Sequence, residues 1–424
     1  MGNQRVDKSK AYLLAVHLKS QDINRTLAAL DEVRSLAETM NFEVVGQEIQ
    51  SRDAYDSKTY IGTGKLIEMR RIVEDQDISL VLFDHELTPN QGKFLEKQLG
   101  CMVLDRTQLI LEIFANHAQT PEAKEQVELA QLKYMLPRLV GLWAHLDREK
   151  GGIGLSKGTG EKQINIDRTI IRKRISKLEK SLGKIARERQ TQSNLRKKCF
   201  LSCVVGYTNA GKTSLVNQLT GAGLYIENKL FATLDSATRV MDNHTKPKIL
   251  LSDTVGFIDN LPHSLIASFR STLSVVKEAD LLLHVIDASN PDIDKVIETT
   301  TEVLREIGAA NIPLLIVLNK IDLVEDQVEM LVLKKKFPEA VMVSALDIQS
   351  VQRFKKEVSG FFERNLKSER TLLPYERSSL LSKFYQLGMV EKIDYEDEGI
   401  YITHKMTPTN QKILAASLLE TANR

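Results

Sequence analysis

A glycine-rich segment carries the first residues that could do chemistry. Residues 206–213 read GYTNAGKT and fit the pattern G-x-x-x-x-G-K-[ST], with an apolar run before them and a helix-forming run after them. In this pattern the glycines let successive backbone N–H groups point at phosphate oxygens, the lysine reaches the β- and γ-phosphates, and the hydroxyl can ligate Mg²⁺. The segment therefore predicts a nucleoside triphosphate site. Its predicted residues are Gly206, Tyr207, Thr208, Asn209, Ala210, Gly211, Lys212, Thr213 and Ser214.

The second motif is DTVG, at residues 253–256, which ends another apolar run. An aspartate at a strand end can hold Mg²⁺, often through a water molecule, and the backbone N–H of the glycine can sense the γ-phosphate. Alone, this four-residue pattern has little specificity, so its weight comes from its place after the phosphate-binding segment. The residues predicted to contribute are Asp253, Thr254, Val255 and Gly256.

The segment LFATLDSATR, at residues 230–239, lies between these two motifs. A loop in this position is expected to carry a threonine whose hydroxyl joins Mg²⁺ and whose backbone senses the γ-phosphate. Thr233 and Thr238 are both candidates, and spacing alone does not choose between them.

The third motif, NKID at residues 319–322, selects the base. The carboxylate of Asp322 can accept two N–H bonds from the guanine edge, whereas adenine would leave this acid unpaired. The phrase VSAL, at residues 343–346, stands where a backbone N–H should meet the guanine carbonyl. All four pieces occur in the right order, each at a predicted strand end, so they predict a guanine-nucleotide site. The residues assigned to the base are Asn319, Lys320, Ile321, Asp322, Ser344, Ala345 and Leu346.

Phe257 occupies the position after DTVG, where many GTPases carry a glutamine that orients the attacking water. A phenylalanine side chain cannot do this. We therefore expect slow intrinsic hydrolysis and a partner that completes or organises the site. The residues expected to act at the γ-phosphate are Lys212 and Gly256 together with Thr233 or Thr238, and those expected at Mg²⁺ are Thr213, Asp253 and the same threonine.

The elements that must position these motifs follow from the hydrophobic periodicity. Two parts of the chain alternate apolar runs with amphipathic stretches, which predicts α/β layers with mainly parallel sheets. Between them, leucines and isoleucines recur at helical spacing on both sides of a glycine-rich stretch at 151–162, which predicts an antiparallel helical hairpin. The predicted domains are an α/β layer at 1–118, the hairpin at 119–198, a P-loop nucleotide-binding domain at 199–366 and a small α+β domain at 367–424.

The second half of the hairpin is strongly basic. Residues 172–198 hold eleven lysines and arginines but only two acids, Glu179 and Glu188. One interpretation is a solvated helix face. The other, which the size of the excess favours, is a surface for nucleic-acid phosphates.

The overall composition fits a soluble globular protein, with 42% hydrophobic and 27% charged residues and a formal net charge of +2. The three cysteines form no C-x-x-C pair, which indicates reduced thiols and a cytoplasmic protein. The N-terminal residues lack the apolar core of a signal peptide, and no apolar run is long enough to cross a bilayer.

The phrases of this chain resemble those of the HflX family of ribosome-associated GTPases over nearly the whole length. The nucleotide motifs VGYTNAGK, LFATLD, DTVGFI and NKID follow the family, but many P-loop GTPases share them in outline. The phrases VLFDHEL, DRTQLILEIFA, EQVELAQL and GGIGL lie outside those motifs and are far more specific.

The resemblance implies an N-terminal HflX domain, then a Ras-like domain that hydrolyses GTP to GDP with Mg²⁺. It implies a cytoplasmic monomer that binds the large ribosomal subunit, through rRNA and ribosomal proteins, and splits stalled or idle ribosomes. It makes Thr233 the Mg²⁺-linked threonine. It also adds this segment to the nucleotide site: Phe231, Ala232, Thr233, Leu234 and Asp235.

The chain departs from the family mainly in the glycine-rich stretch. The family reads G-G-I-G-x-R-G-P-G-E-T-Q, whereas this chain reads GGIGLSKGTGEKQ, with Ser156 and Lys157 at the arginine position and Thr159 at the proline. By resemblance this stretch is a hairpin tip that reaches toward the peptidyl-transferase region, so these changes bear on RNA contact.

Three alternatives stay open from the residues alone. The chain could be a GTP-dependent switch that recruits a non-ribosomal protein or sits at a membrane. It could also be an ATP-using P-loop enzyme, although Asn319 and Asp322 argue against adenine. A short segment YIGTGK, at residues 60–65, is either a structural turn or a second phosphate-binding loop.

Overall fold

The computed structural model describes residues 9–142, 159–196, 198–221, 230–231, 238–242, 246–259 and 270–420 of the 424-residue chain. The chain divides into two compact units. The first comprises Met1–Gly183, Asn228–Leu234 and Leu261–Phe269, and the second comprises Lys184–Glu227, Asp235–Asn260 and Arg270–Arg424.

The first unit is built on a four-stranded parallel sheet with the strand order β2-β1-β3-β4. Strand β1 is central, and most of its side chains are buried, as expected for a strand covered on both faces. The strands are β1 (Lys10–Leu18), β2 (Glu43–Arg52), β3 (Leu80–Phe83) and β4 (Met102–Asp105). The helices that follow them are α1 (Ile23–Thr39), α2 (Thr63–Gln76), α3 (Pro89–Leu99) and α4 (Arg106–His117).

Local sequence signals explain where these elements begin and end, as α3 illustrates. Thr88 caps the helix, because its side-chain hydroxyl accepts the backbone N–H of Gln91. In return, the Gln91 side-chain oxygen accepts the backbone N–H of Thr88. Pro89 occupies the first turn, where its missing N–H costs nothing. Gly100 ends the helix in the left-handed conformation.

Two long helices complete the first unit: α5 (Pro121–Leu142) and α6 (Thr159–Arg196), whose last part belongs to the second unit. Ion pairs join them at Arg174 to Glu128, 2.6 Å, and at Lys133 to Glu179, 2.8 Å. Both contacts advance in the same direction along the two helices. They do not support the expected antiparallel packing, which stays a prediction.

The second unit contains a six-stranded sheet with the order β10-β9-β8-β5-β7-β6. All neighbours are parallel except β6, which runs antiparallel to β7 at the edge. The strands are β5 (Phe200–Val205), β6 (Thr238–Val240), β7 (Ile249–Asp253), β8 (Leu281–Asp287), β9 (Leu314–Asn319) and β10 (Val341–Met342). The helices are α7 (Lys212–Thr220), α8 (Arg270–Lys277), α9 (Ile293–Glu306), α10 (Gln327–Lys336) and α11 (Ile348–Asn365).

A three-stranded antiparallel sheet with the order β11-β13-β12 ends the second unit. Its strands are β11 (Ser368–Leu373), β12 (Met389–Glu396) and β13 (Gly399–Lys405), and its helices are α12 (Leu381–Leu387) and α13 (Pro408–Glu420). The buried Asn410 ties it to the rest of the unit, because its Nδ2 donates to the carbonyl oxygens of Leu387, at 2.7 Å, and Lys198, at 3.1 Å.

The predicted fold class is confirmed. Both α/β layers form, each with a mainly parallel sheet, and the C-terminal part mixes strands and helices. The four-domain division of the chain stays a prediction. In the part of the chain that the structure describes, no helix combines the length and apolar character needed to cross a membrane.

Candidate nucleotide-binding site

The phosphate-binding segment forms the turn between β5 and α7. At Gly206 the backbone has φ of +144°, and a Cβ built there would overlap the carbonyl oxygen of Val285 on the neighbouring strand. Glycine is therefore required at this position, both for its conformation and for the close approach of the strands. Asn209 also has a positive φ, 60°, which tightens the loop before the helix begins.

Lys212 lies inside this loop. Its ammonium donates to the carbonyl oxygens of Gly206, at 3.1 Å, and Tyr207, at 2.6 Å, and the residue is buried. Burial lowers the pKa of Lys212 to about 8, and the nearby carboxylate of Asp253 opposes this shift only in part. A buried, incompletely neutralised cation at a helix N-terminus is well suited to a phosphate.

The buried hydroxyl of Thr208 also points to an anionic ligand. Its Oγ1 has no hydrogen-bond partner among the described residues. Burying an unpaired hydroxyl costs free energy, about 1–3 kcal/mol, unless a ligand or solvent supplies the bond. A phosphate oxygen in the loop would supply it.

Thr213 and Asp253 bring two oxygen ligands together at the start of α7. The Thr213 hydroxyl donates to Asp253 Oδ2 at 2.7 Å, and Asp253, at the end of β7, is fully buried. Its other oxygen accepts the Thr254 N–H at 3.0 Å, and the Thr254 hydroxyl donates to the carbonyl oxygen of Val204 at 2.6 Å. Hydroxyl and carboxylate oxygens are the donors that Mg²⁺ prefers, so the pair fits this ion.

The residues that follow β7 lie directly against the phosphate loop. The Phe257 N–H donates to the Gly206 carbonyl at 3.0 Å, and the Phe257 carbonyl accepts the Thr208 N–H at 2.8 Å. A Cβ on Gly256 would stand 2.8 Å from Thr208 Cγ2 and 3.0 Å from the Lys212 ammonium. The Phe257 side chain is buried, so it supplies no polar group to a reacting water.

Asn319 links the base-recognition motifs to the phosphate loop. Its side chain is buried, donates to the Ala210 carbonyl at 2.8 Å and accepts the Ala345 N–H at 3.2 Å. Asn319 therefore connects the phosphate-binding segment to the segment that contains Ala345. Asp322, three residues later, is exposed, which leaves its carboxylate accessible to a base.

The SAL segment is shaped by its own hydrogen bonds. Ser344 Oγ accepts the Leu346 N–H at 3.2 Å, and the Ser344 N–H donates to Ser350 Oγ at 3.1 Å. Leu346 is 83% exposed, which is unusual for a leucine. It follows Ala345, whose N–H binds Asn319 at the start of the NKID segment, residues 319–322, which we call the base-recognition loop.

The structure brings most of the predicted residues together at the carboxyl ends of β5, β7 and β9. Parallel strands place these ends at one edge of a sheet, where ligands of α/β folds bind. Lys320 adopts the left-handed conformation, with φ of +59°, at the end of β9. Ile321 begins the short helical turn Ile321–Leu323 that carries Asp322.

The segment before β6 is the exception. Phe231 belongs to the first unit, where its ring packs edge-to-face on Phe114 at 4.7 Å and the Leu230 N–H donates to Thr39 Oγ1 at 3.3 Å. Ala232, Thr233, Leu234 and Asp235 lie outside the described residues. The alternative candidate Thr238 is in β6, with its hydroxyl 3.3 Å from Ser252 Oγ. The roles of Phe231 and Thr233 stay predictions.

Two polar residues of β8 were missed by sequence reasoning. Asp287 ends the strand and pairs with the Lys320 ammonium at 2.7 Å, beside the base-recognition loop. His284 is buried, and burial together with the Lys212 charge lowers its pKa to about 4. The signal for Asp287 was its place at a strand end, like Asp253 and Asn319. The signal for His284 was a polar residue inside an apolar strand.

The segment at residues 60–65 forms a turn into α2. Gly62 is the residue before the helix, and its N–H donates to Gln50 Oε1 at 2.8 Å. The Lys65 ammonium pairs with the carboxylates of Glu48 and Glu68. A lysine held by two acids is poorly placed to bind phosphate, so the structural interpretation is favoured.

The basic part of α6 presents its charges to solvent. Arg174 is bound to Glu128, but most other bases in the described part of α6 are exposed. They are Arg172, Lys173, Lys177, Lys180, Lys184 and Arg187. Two large apolar side chains nearer the glycine-rich stretch, Ile166 and Ile170, are also exposed.

Known proteins match this chain throughout these regions. Family models described as GTP-binding GTPase N-terminal, GTP-binding GTPase middle region and 50S ribosome-binding GTPase match residues 28–115, 117–196 and 202–320. GTPase HflX of Caldanaerobacter subterraneus subsp. tengcongensis is 41% identical over 95% of this chain and 92% of its own. GTPase HflX of Escherichia coli strain K12 is 39% identical over 93% of each chain. A crystal structure of a GTP-binding protein from Sulfolobus solfataricus with GDP is 28% identical, with a TM-score of 0.45, and covers 82% of this chain and 99% of its own.

Proposed function

The chain belongs to the HflX family of GTPases, and we propose that it uses GTP to bind the large ribosomal subunit and to split stalled or idle ribosomes. Hydrolysis of GTP and binding of guanine nucleotides follow from the family. The observation that supports ribosome binding most is the basic, solvent-facing surface of α6. Polyanionic RNA is the natural partner of such a surface.

In this proposal the nucleotide lies along the carboxyl ends of β5, β7 and β9. The backbone of residues 206–213 and the Lys212 ammonium hold the phosphates, and the exposed Asp322 accepts the guanine N–H groups. Asp287 supports the base-recognition loop by holding Lys320. Thr213 and Asp253 would hold Mg²⁺, which would supply charge neutralisation at the phosphates, and Thr233 is the further ligand that the family resemblance implies.

Hydrolysis by the free chain is slow in this proposal. The buried Phe257 cannot orient water, and its backbone bonds to Gly206 and Thr208 hold the loop after β7 against the phosphate loop. A bound γ-phosphate would be sensed by Gly256 and Thr233, which orders the loops around them. The ribosomal subunit then completes the site, and hydrolysis releases the protein.

The proposed place of action is the cytoplasm, and the proposed form on the subunit is a single copy. The bases of α6 supply sequence-independent affinity for rRNA phosphates, while the glycine-rich stretch at 151–162 supplies the closest approach. The departures at Ser156, Lys157 and Thr159 are the places where this chain would differ from its relatives in RNA contact.

Charge reversal on α6 tests the proposal. We expect the triple variant Lys173→Glu, Lys177→Glu and Lys180→Glu to bind purified large subunits at least about tenfold more weakly, with a shallower dependence on salt, because three phosphate contacts are lost. The measurement is the affinity in the presence of a non-hydrolysable GTP analogue at several salt concentrations.

The matched control reverses three exposed bases of α11: Arg353→Glu, Lys356→Glu and Arg364→Glu. It changes the net charge by the same amount, so it separates a local contact from a general charge effect. Equal affinity of the two triple variants for the subunit would contradict the role of α6.

A further inference from the structure

An apolar stripe lies on the solvent side of α10 (Gln327–Lys336). Val328, Leu331 and Val332 are 64%, 64% and 56% exposed. Their spacing of three and four residues places them on one face of the helix. Single exposed apolar residues are common on soluble proteins, but three large neighbours on one helix face indicate a contact surface.

The stripe is not the face that α10 packs on its own unit. Leu333 is 6% exposed and packs in a cluster with Ile286 and Val296. On the helical wheel it lies far from the stripe, so α10 is apolar on two sides. The neighbouring helix α9 behaves as a surface helix normally does, because each of its exposed residues is polar.

The acidic and basic residues around the stripe lie at opposite ends of α10. Acids precede or begin the helix, and bases end it: Glu325, Asp326 and Glu329 against Lys334, Lys335 and Lys336. Two of them are used within the unit. Asp326 caps the helix through the Val328 N–H at 2.8 Å, and Lys336 pairs with Asp294 at 2.5 Å. Glu325, Lys334 and Lys335 are exposed and face outward.

This arrangement is complementary to itself when reversed. If two α10 helices lie antiparallel about a two-fold axis near Leu331, Val328 meets Val332 of the second copy, and Glu325 meets Lys335 of the second copy. Apolar residues then cover apolar residues, and each acidic end meets a basic end. We propose that α10 is a self-association surface and that its occupant is α10 of a second copy of this chain, in an isologous pair.

The surface is small for a stable interface. A ten-residue helix offers less than the roughly 800 Å² per partner that stable interfaces bury, so the dimer is weak and transient. The monomer expected from the sequence is then the form at low concentration, and the dimer is the form in concentrated solution.

Sedimentation velocity of the full chain over a wide range of concentrations tests the proposal. The mean sedimentation coefficient should rise toward that of a dimer for the wild-type chain and for Ile67→Lys, which changes a similarly exposed residue, 59%, on α2. It should stay at the monomer value for Leu331→Lys. A wild-type chain that remains monomeric, or a Leu331→Lys chain that still associates, would overturn the proposal.

A charge exchange tests the antiparallel arrangement itself. Glu325→Lys and Lys335→Glu should each abolish self-association, because like charges then meet at both ends. An equimolar mixture of the two variants should associate, and the double variant should regain self-association, since both restore opposite charges. No association in the mixture, with the wild-type chain associating, would show that another partner arrangement uses the stripe and would refute this one.

Discussion

The surroundings of Lys212 change the pKa of its ammonium group. Burial lowers its pKa from an ordinary value of 10.5 to about 8. Because phosphate oxygens bind the ammonium form, we expect GDP affinity to fall as the pH rises through about 8, by up to roughly tenfold per pH unit. The free chain should show the opposite trend in stability. Its buried charge is destabilising below pH 8, and this penalty is relieved as the pH rises toward 10.5, where the unfolded chain binds more protons.

Calorimetric titration of GDP at pH 7 and at pH 9 measures the pH dependence of GDP affinity directly. Lys212→Arg should flatten the pH dependence, because a guanidinium keeps its proton throughout this range. Lys356→Arg, on the exposed side of α11, should behave like the wild-type chain. An affinity of the wild-type chain that does not change between the two pH values would contradict the assignment of Lys212 to the phosphates.

Asp322 is the residue on which guanine selection depends. We expect Asp322→Asn to weaken binding of GDP by roughly tenfold or more and to favour xanthosine diphosphate, because an amide can donate to the oxygen that xanthine carries in place of the guanine amino group. Displacement of a fluorescent guanine nucleotide measures both affinities. Asp326→Asn, which keeps a side-chain oxygen at the start of α10, should leave the ratio unchanged. A ratio unaffected in Asp322→Asn would refute the role of this carboxylate.

At the scale of elements, the close approach of β5 and β8 depends on Gly206. We expect Gly206→Ala to destabilise the chain by about 2–4 kcal/mol, because the added methyl group overlaps the Val285 carbonyl and the backbone conformation is unfavourable for alanine. Denaturant unfolding of the nucleotide-free chain measures the change. Gly360→Ala, inside α11 where a Cβ meets only ordinary contacts, should be neutral or slightly stabilising. Equal stability of the two variants would show that the strands can separate at Gly206.

Element positions were predicted well where a short apolar run ends in a motif. β5, β7 and β9 each end in a glycine or polar residue that the nucleotide motifs identify, so Gly206, Asp253 and Asn319 could be placed at strand ends from the sequence alone. β6 was harder, because a strand of three residues carries no periodicity. The antiparallel orientation of α5 and α6 stays a prediction, since a heptad pattern does not specify the direction of two helices.

At the scale of the whole molecule, the sequence predicts features that depend on neighbouring residues, but it does not predict contacts between residues distant in the chain. The pairing of Asp287 with Lys320 and the burial of His284 arise from strands distant in sequence, which meet only in the folded sheet. The exposed stripe on α10 was hidden for a similar reason. An apolar helix residue is expected in the core, and only packing shows which of two apolar faces the core uses.

The family gives the chain a GTPase domain, and the described part of α6 carries a basic surface. In the proposed function, GTP bound to this domain controls attachment of the chain to the large ribosomal subunit. Nucleotide dependence distinguishes this claim from simple electrostatic binding, because the bases of α6 are the same whichever nucleotide is bound.

Co-sedimentation of the purified chain with purified large subunits, at moderate salt, tests whether the nucleotide controls attachment. We predict that the chain pellets with the subunits in the presence of a non-hydrolysable GTP analogue, that it stays in the supernatant with GDP, and that Lys212→Ala stays there with either nucleotide. Equal pelleting of the wild-type chain with the analogue and with GDP, or no pelleting with either, would contradict the claim.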